Sequence, residues 1–433
     1  AKFRSDYLRN FYELGYQNST APPAADEPIA YLVPAGQGRD ESVAKLIGAL
    51  VDQGIEVHRL DRELHASYGP QILQRTNSAT EKLGTYRRII AHTSGFHEVP
   101  TNSYIVFLAQ PQRRNILALL EPQIYPNRTN ALGEAERPYD VAGWTLSMQL
   151  GVDAPAVTAI QEALADRRLS VVRDDNDVRK DLALPLRSRN SSPIVNPLRQ
   201  PVRIGIYKAW TSNMDEGWTR YIFDTFNVPY VSVRDATVRE ENLSEKFDAI
   251  ILPSQRARDI TEGNLAGTYP AEFTGGMTVG GVAKLKQFVE DGGTLVCFDA
   301  ACELAIKQFN LPIRNTLEGL KSSEFYCPGS VIALDVDNSQ PLARGLARSI
   351  DAYFINSSAF ETTDSKVRVI ARYAKDNVLR SGWLLGEDRL RGKIALAEIP
   401  LGKGRVVLFA FRPQHRGQTW GTLPFIWNAL TPL

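Results

Sequence analysis

Cysteine, methionine and histidine are scarce in these 433 residues, at three, three and five, and neither sign of charge is in excess: 50 Lys and Arg stand against 49 Asp and Glu. That balance leaves no domain-wide basic field to neutralise phosphates, which argues against nucleic acid as a partner. Cys297, Cys302 and Cys327 cannot all pair and are not spaced as metal ligands, so they leave the redox compartment open. No run of about twenty apolar residues occurs, so no membrane span is expected. Among the histidines, His92 and His97 with Glu98 form H-x4-H-E, which is no standard zinc spacing. His58 with Asp61 lacks a third ligand, and each of the five imidazoles, His65 and His415 included, reads first as a lone surface side chain. No metal and no cofactor are expected in this chain. GQGR (36–39) has too few glycines for a dinucleotide fingerprint and reads as a plain turn.

What the chain does contain is a globular composition, 43% apolar and 23% charged, over a length that suits two or three domains. Phe3, Tyr7, Leu8, Phe11 and Leu14 recur at helical spacing and predict a helix over 2–17. With Ala1 rather than an initiator Met in front of it, this helix reads as the end of a domain that has been removed, and 18–28 reads as a linker. Residues 28–178 read as an α/β accessory domain. Strands are predicted at 29–35, 54–60, 103–111 and 169–174, and helices at 41–53, 113–122 and 155–165; such alternation predicts a mainly parallel sheet covered by helices. Residues 179–200 read as a second linker. Five sequons, at Asn18, Asn127, Asn190, Asn242 and Asn356, weakly favour an exported protein.

From 201 to 433 the pattern is cleaner. Strands are predicted at 202–207, 228–234, 247–254 and 294–300, helices at 215–226, 278–290, 301–309 and 421–430, and LGKG (401–404) joins a hairpin. This is a flavodoxin-like, doubly wound arrangement, and it resembles the class I glutamine amidotransferase fold. That resemblance implies a cysteine at the sharp strand-to-helix turn near 299 and a C-terminal His-Pro-Glu. The turn instead reads Phe298-Asp299-Ala300-Ala301. FRPQ (411–414) puts Arg412 where the histidine and Gln414 where the glutamate would be. Nucleophile, base and orienting carboxylate are all missing, so no catalytic residue is expected. The crevice beyond the strand ends could still bind a ligand through Trp210, Asp215, Ser254, Asp299, Cys327, Arg412, Gln414, His415 and Arg416. Asp299 with Arg412 or Arg416 reads first as a structural ion pair, and Cys327 as an inert thiol in a packed turn.

Five segments, RPYDVAGWTLSMQLGV (137–152), MDEGWTRYIFDTF (214–226), EFYCPGS (324–330), SGWLLGE (381–387) and PLGKGRVVLFAFRPQHRGQTWGT (400–422), together resemble a family of bacterial zinc carboxypeptidase-like proteins of the carboxypeptidase A type. The resemblance implies an exported, periplasmic or extracellular protein with a zinc peptidase domain ahead of an amidotransferase-like one. The zinc ligands of that peptidase are not recognisable in this sequence. The expected function is therefore a non-catalytic accessory or ligand-binding region whose partner is the absent peptidase domain and whose ligand is a small molecule or peptide. Two other readings stand beside it: a self-contained hydrolase using the crevice around Asp299 and His415, and a scaffold that forms a homodimer.

Overall fold

The computed structural model describes residues 3–24, 27–77, 84–91, 94–126, 136–163, 168–187 and 194–431. His92 and the sequons at Asn127 and Asn190 lie outside the described residues. The predicted first helix is α1 (Arg4–Thr20); none of its 17 residues is buried, and Tyr7, Phe11 and Tyr12 stand exposed.

The first sheet begins with β1 (Ala30–Val33), α2 (Asp40–Asp52), β2 (Val57–Leu60) and β3 (Leu64–Gly69). A separate hairpin follows, β4 (Gln71–Arg75) with β5 (Tyr86–Ile90). The sheet resumes with β6 (His97–Val99), β7 (Tyr104–Phe107), β8 (Ala156–Ile160) and β9 (Leu169–Val172), with α3 (Arg113–Leu120) and α4 (Leu146–Leu150) between β7 and β8 and α5 (Asp175–Asp181) after β9. Its order is β6-β3-β8-β1-β7-β2-β9 and every pairing is antiparallel, which corrects the expected parallel sheet. β1 and β2 do run the same way around α2, but β7 lies between them and opposes both. All four residues of β1 are buried, so its unbroken apolar run fits a central strand of either kind. The helix expected at 155–165 is also corrected: Ala156–Ile160 is β8, wedged between β1 and β3. Val157, Thr158 and Ile160 are β-branched, and a slot needing a partner on both sides overrides a short helical pattern.

The second unit opens with β10 (Ile204–Tyr207), α6 (Met214–Thr225), β11 (Val231–Val233), α7 (Asp235–Glu240), α8 (Leu243–Lys246) and β12 (Ala249–Leu252). It continues through α9 (Ala257–Glu262), α10 (Thr278–Glu290), β13 (Thr294–Phe298), α11 (Cys302–Gln308), β14 (Arg314–Asn315), β15 (Ser330–Val336) and β16 (Ser349–Phe354). The last elements are β17 (Phe360–Glu361), β18 (Arg368–Tyr373), β19 (Leu379–Ser381), β20 (Ile394–Leu401), β21 (Gly404–Phe409) and α12 (Leu423–Leu430). β11-β10-β12-β13-β21 are parallel throughout. Numbered within the unit, that order is 2-1-3-4-5, the flavodoxin-like doubly wound arrangement. β20 folds back on β21 through the predicted hairpin, and β18, β15 and β16 extend the sheet antiparallel.

The two units share one apolar cluster, reaching from Leu46 and Ile47 under the first sheet to Phe409 and Phe425 under the second. Where they meet, the backbones touch. A Cβ on Gly143 would lie 2.4 Å from the Ser381 carbonyl oxygen, and Ile124 bridges to Gly382. Thr145 donates to Ser381 Oγ (2.8 Å), which donates in turn to Gln123 Oε1 (2.7 Å), all of it buried. The Thr145 and Ser381 hydroxyls and the Gln123 amide oxygen satisfy one another here, which offsets the penalty of burying them.

Candidate functional site

β13 ends at Phe298 and the chain turns sharply into α11, with Asp299 at φ +49 between them. A non-glycine residue in the left-handed region costs on the order of 1–3 kcal/mol and is held only by its surroundings. Here the surroundings are polar. Ser254, just after β12, donates to Asp299 Oδ2 (2.9 Å), and Arg412 Nη2 lies 3.0 Å from the same oxygen.

Arg412 follows β21 and reaches three ways: to Asp299, to Asp215 Oδ1 (Nε, 3.0 Å) and to the Ile355 carbonyl (Nη1, 2.7 Å). Asp215 is placed by α6, whose N-cap Asn213 accepts from the Asp215 N–H (2.9 Å). One guanidinium therefore serves two buried carboxylates. Burial pushes Asp215 up to about 6, with Arg412 pulling down and Asp299 pushing up. Asp299 is raised by burial as well, and Arg412 opposes that.

The other predicted residues fall around this knot or away from it. Gln414 is buried and donates to Thr219 Oγ1 (3.0 Å) on α6, so its amide ties α6 to the segment after β21. His415 is buried between rings, stacked on Tyr353 at 4.4 Å and edge-on to Trp218 at 5.0 Å. Neither of its nitrogens has a hydrogen-bond partner among the described residues; burial first, then Arg416 and Arg412, pushes it down to about 3. A histidine kept neutral and enclosed is no proton shuttle for Asp299. Arg416 turns away and forms a bidentate pair with Asp140 (2.9 and 2.6 Å) rather than with Asp299. Trp210 belongs to another group, under Arg234 (3.8 Å to the ring centre) and against Phe273 (4.8 Å). Cys327 is buried, its Sγ toward the Phe354 carbonyl (3.8 Å), and burial pushes its thiol up to about 12. Cys297 and Cys302 are buried with raised pKa values too, so no activated thiol replaces the elbow nucleophile.

Sequence reasoning missed Thr219, Trp218, Tyr353 and Asp140. Of these, Trp218 and Thr219 carried a signal, standing three and four residues after Asp215 and hence on one helical face. The others come from segments that only the fold brings close. The five distinctive segments do converge in space. Asp140 meets Arg416, Ala142 N donates to Gly329 O (2.8 Å), Gly143 abuts Ser381, and Thr219 meets Gln414.

No group of three or more His, Cys, Asp and Glu side chains that could hold a metal ion occurs among the described residues. Nor is any helix among them long and apolar enough to cross a membrane.

No protein-family model and no curated protein matches the chain. Solved structures similar to part of it include a ThuA-like protein from Bacteroides uniformis (13% identity, 56% of this chain and 94% of that one, TM-score 0.31). Others are a GMP synthase subunit from Thermoplasma acidophilum (9%, 54% and 94%, 0.35) and a β-galactosidase from Bacillus circulans sp. alkalophilus (12%, 52% and 30%, 0.33). At such scores they assign no family, and the α/β architecture with a flavodoxin-like second unit rests on the strand order itself.

Proposed function

We propose that this chain is a non-catalytic accessory region, its second unit an amidotransferase-like domain without acyl-transfer chemistry, working beside a catalytic domain of the zinc carboxypeptidase-like kind in an exported protein. The observation that carries this reading is Arg412. The residue standing for the base is a permanent cation clamped between Asp215 and Asp299. Attack on an acyl carbon needs an exposed nucleophile, a base within reach and free oxyanion donors. The elbow carries instead a buried carboxylate (2% exposed) whose Oδ2 is held by Ser254 and Arg412. The exposed aromatic side chains of α1 supply a surface suited to docking against such a partner.

The test is an ammonia-release assay with glutamine and a peptidase assay with blocked dipeptides, each with and without chelator. The expected result is no turnover above a protein-free control. Chelator-resistant hydrolysis that disappears in Asp299→Ala or His415→Ala would replace this reading with that of a self-contained hydrolase.

A further inference from the structure

A cleft of ≈ 720 Å³ opens between the two units, away from the elbow. Its walls come from the loop after β1, the β3–β4 junction and the α4–β8 connection on one side, and from 347–351, Arg380 and Gly421 on the other. That volume lies within the roughly 300–1,000 Å³ of small-molecule sites, which favour such boundaries between units. We propose that this cleft binds a small organic monocarboxylate, with Arg39 as the anchor for its carboxylate. The proposal does not depend on the reading of the elbow.

Arg39 is the first reason. It is partly buried, and among the described residues no carboxylate lies within ion-pair distance of it; its one hydrogen bond is a long one to the Gly421 carbonyl (Nη1, 3.5 Å). Burial pulls its pKa down, with only the more distant Asp153 opposing. A half-buried guanidinium without a counter-ion is unfavourable, and a ligand carboxylate accepting a bidentate pair would offset that. The backbone is shaped to make room for it. A Cβ on Gly151 (φ +67) would lie 2.2 Å from Arg39 Nη1 and 2.7 Å from the Gly421 Cα, so the guanidinium sits in a space that only a glycine at 151 leaves open.

Unpartnered polar atoms are the second reason. Gln71 lines the cleft and is 8% exposed; its Oε1 accepts from the Tyr31 hydroxyl (2.8 Å), while its Nε2 has no partner among the described residues. His97 Nε2 is in the same condition. Buried polar atoms are normally satisfied, and two without partners on one cavity wall indicate groups awaiting a ligand or its water.

Charge selects the class. The lining carries Arg39 and Arg380 together with Asp153 and Asp351, and Arg380 is already beside Asp351 (3.3 Å). With Arg380 paired to Asp351, Arg39 and Asp153 are left without ion-pair partners among the described residues, so one carboxylate can sit against Arg39, whereas a dianion would bring a second charge toward Asp153 and Asp351. Ile72, Leu120, Met148 and Val152 add apolar wall, which favours a carboxylate with a hydrocarbon body over an inorganic anion.

Calorimetric titration of the full chain tests this with benzoate and hexanoate, their amides benzamide and hexanamide, and inorganic phosphate. At least one carboxylate should bind saturably with a Kd of about 1 mM or tighter, a value in keeping with its number of heavy atoms. Its amide and phosphate should bind at least about tenfold more weakly, and Arg39→Gln should lose about tenfold. Ala347→Trp, at an exposed position on the rim, should abolish binding while leaving the melting temperature in place, so the test survives if Arg39→Gln unfolds. No saturable binding by either carboxylate, equal binding of acid and amide, phosphate binding as tight as that of the acids, or wild-type affinity in either variant would overturn the proposal.

Discussion

Asp215 bears the most costly charge in the elbow network. Arg412 divides itself between two carboxylates, and Asp299 holds the more enclosed place, with the Ser254 hydroxyl in addition. Burial pushes Asp215 up to about 6 from an ordinary 3.8. Between those values the folded chain keeps a proton that the unfolded chain has released. Stability contributed by Asp215 is therefore present below the unfolded value and is lost as pH rises through the folded one. Asp215→Asn removes this dependence. Its stability relative to the parent should improve by on the order of 2–3 kcal/mol between pH of about 4 and about 7, whatever constant offset the lost Arg412 contact introduces. Urea denaturation at both pH values measures the difference; an unchanged difference would mean that Arg412 neutralises both carboxylates fully. His415 has the opposite sign, since a histidine held down to about 3 costs stability as pH falls below its unfolded value. The sequence named Asp215, Ser254, Asp299 and Arg412 as candidates because they follow predicted strands or open a predicted helix. It did not reveal that Arg412 faces Asp215 and Asp299 while Arg416 faces Asp140. Arg412 and Arg416 are both guanidiniums on one short segment, and only the left-handed turn at Arg416 (φ +51) sends them apart.

At the scale of elements, periodicity was most reliable where packing agrees with it. The five parallel strands of the second unit are short, mostly apolar runs, and each lies within its predicted span or its predicted hairpin. In the first unit the same signals named β1, β2, β7, β9, α2 and α3 but not β3 to β6, and not the partners, because a strand buried on both faces reads alike in parallel and antiparallel sheets. α1 shows the converse case, where a correct spacing lacks an observed use. Its apolar positions recur as a core-facing helix demands, yet Phe11 is 80% exposed and Tyr7 73%. Helices of this length gain little from propensity alone and take their stability from packing. In the chain as it stands, α1 should exchange its amide hydrogens far faster than α6 or α10, and removal of residues 1–20 should shift the melting temperature by no more than about 2 °C. Hydrogen exchange read by mass spectrometry decides this. Protection in α1 matching that of α10 would show that something already covers it.

For the whole molecule the question is whether two units of such different topology unfold as one. A single apolar cluster crosses between them, and the seam at Gly143, Ser381 and Gly382 is close-packed and internally hydrogen-bonded. Cooperative unfolding requires that separating the units cost more than either can bear alone, and that cost is concentrated where backbone meets backbone. Gly143→Ala puts a methyl 2.4 Å from the Ser381 carbonyl oxygen and 2.6 Å from its carbon, neither of which is the end of a flexible side chain. The seam must open to admit it, at a cost of about 2–4 kcal/mol. Gly217→Ala, in α6 with open space around the added carbon, is the matched control and should instead gain about 0.5–1 kcal/mol from helix propensity. Scanning calorimetry should show one transition for the parent and for Gly217→Ala. For Gly143→Ala it should show a lower, split transition, because the two units then melt separately. A single transition merely shifted downward in Gly143→Ala would place the coupling in the shared apolar cluster rather than in the seam. The cleft anchored by Arg39 is lined by Pro122 and Arg380, the chain neighbours of the seam residues Gln123 and Ser381, so loosening the seam should also weaken carboxylate binding there, whereas the elbow network, which lies within the second unit, should keep the pH response of Asp215 unchanged.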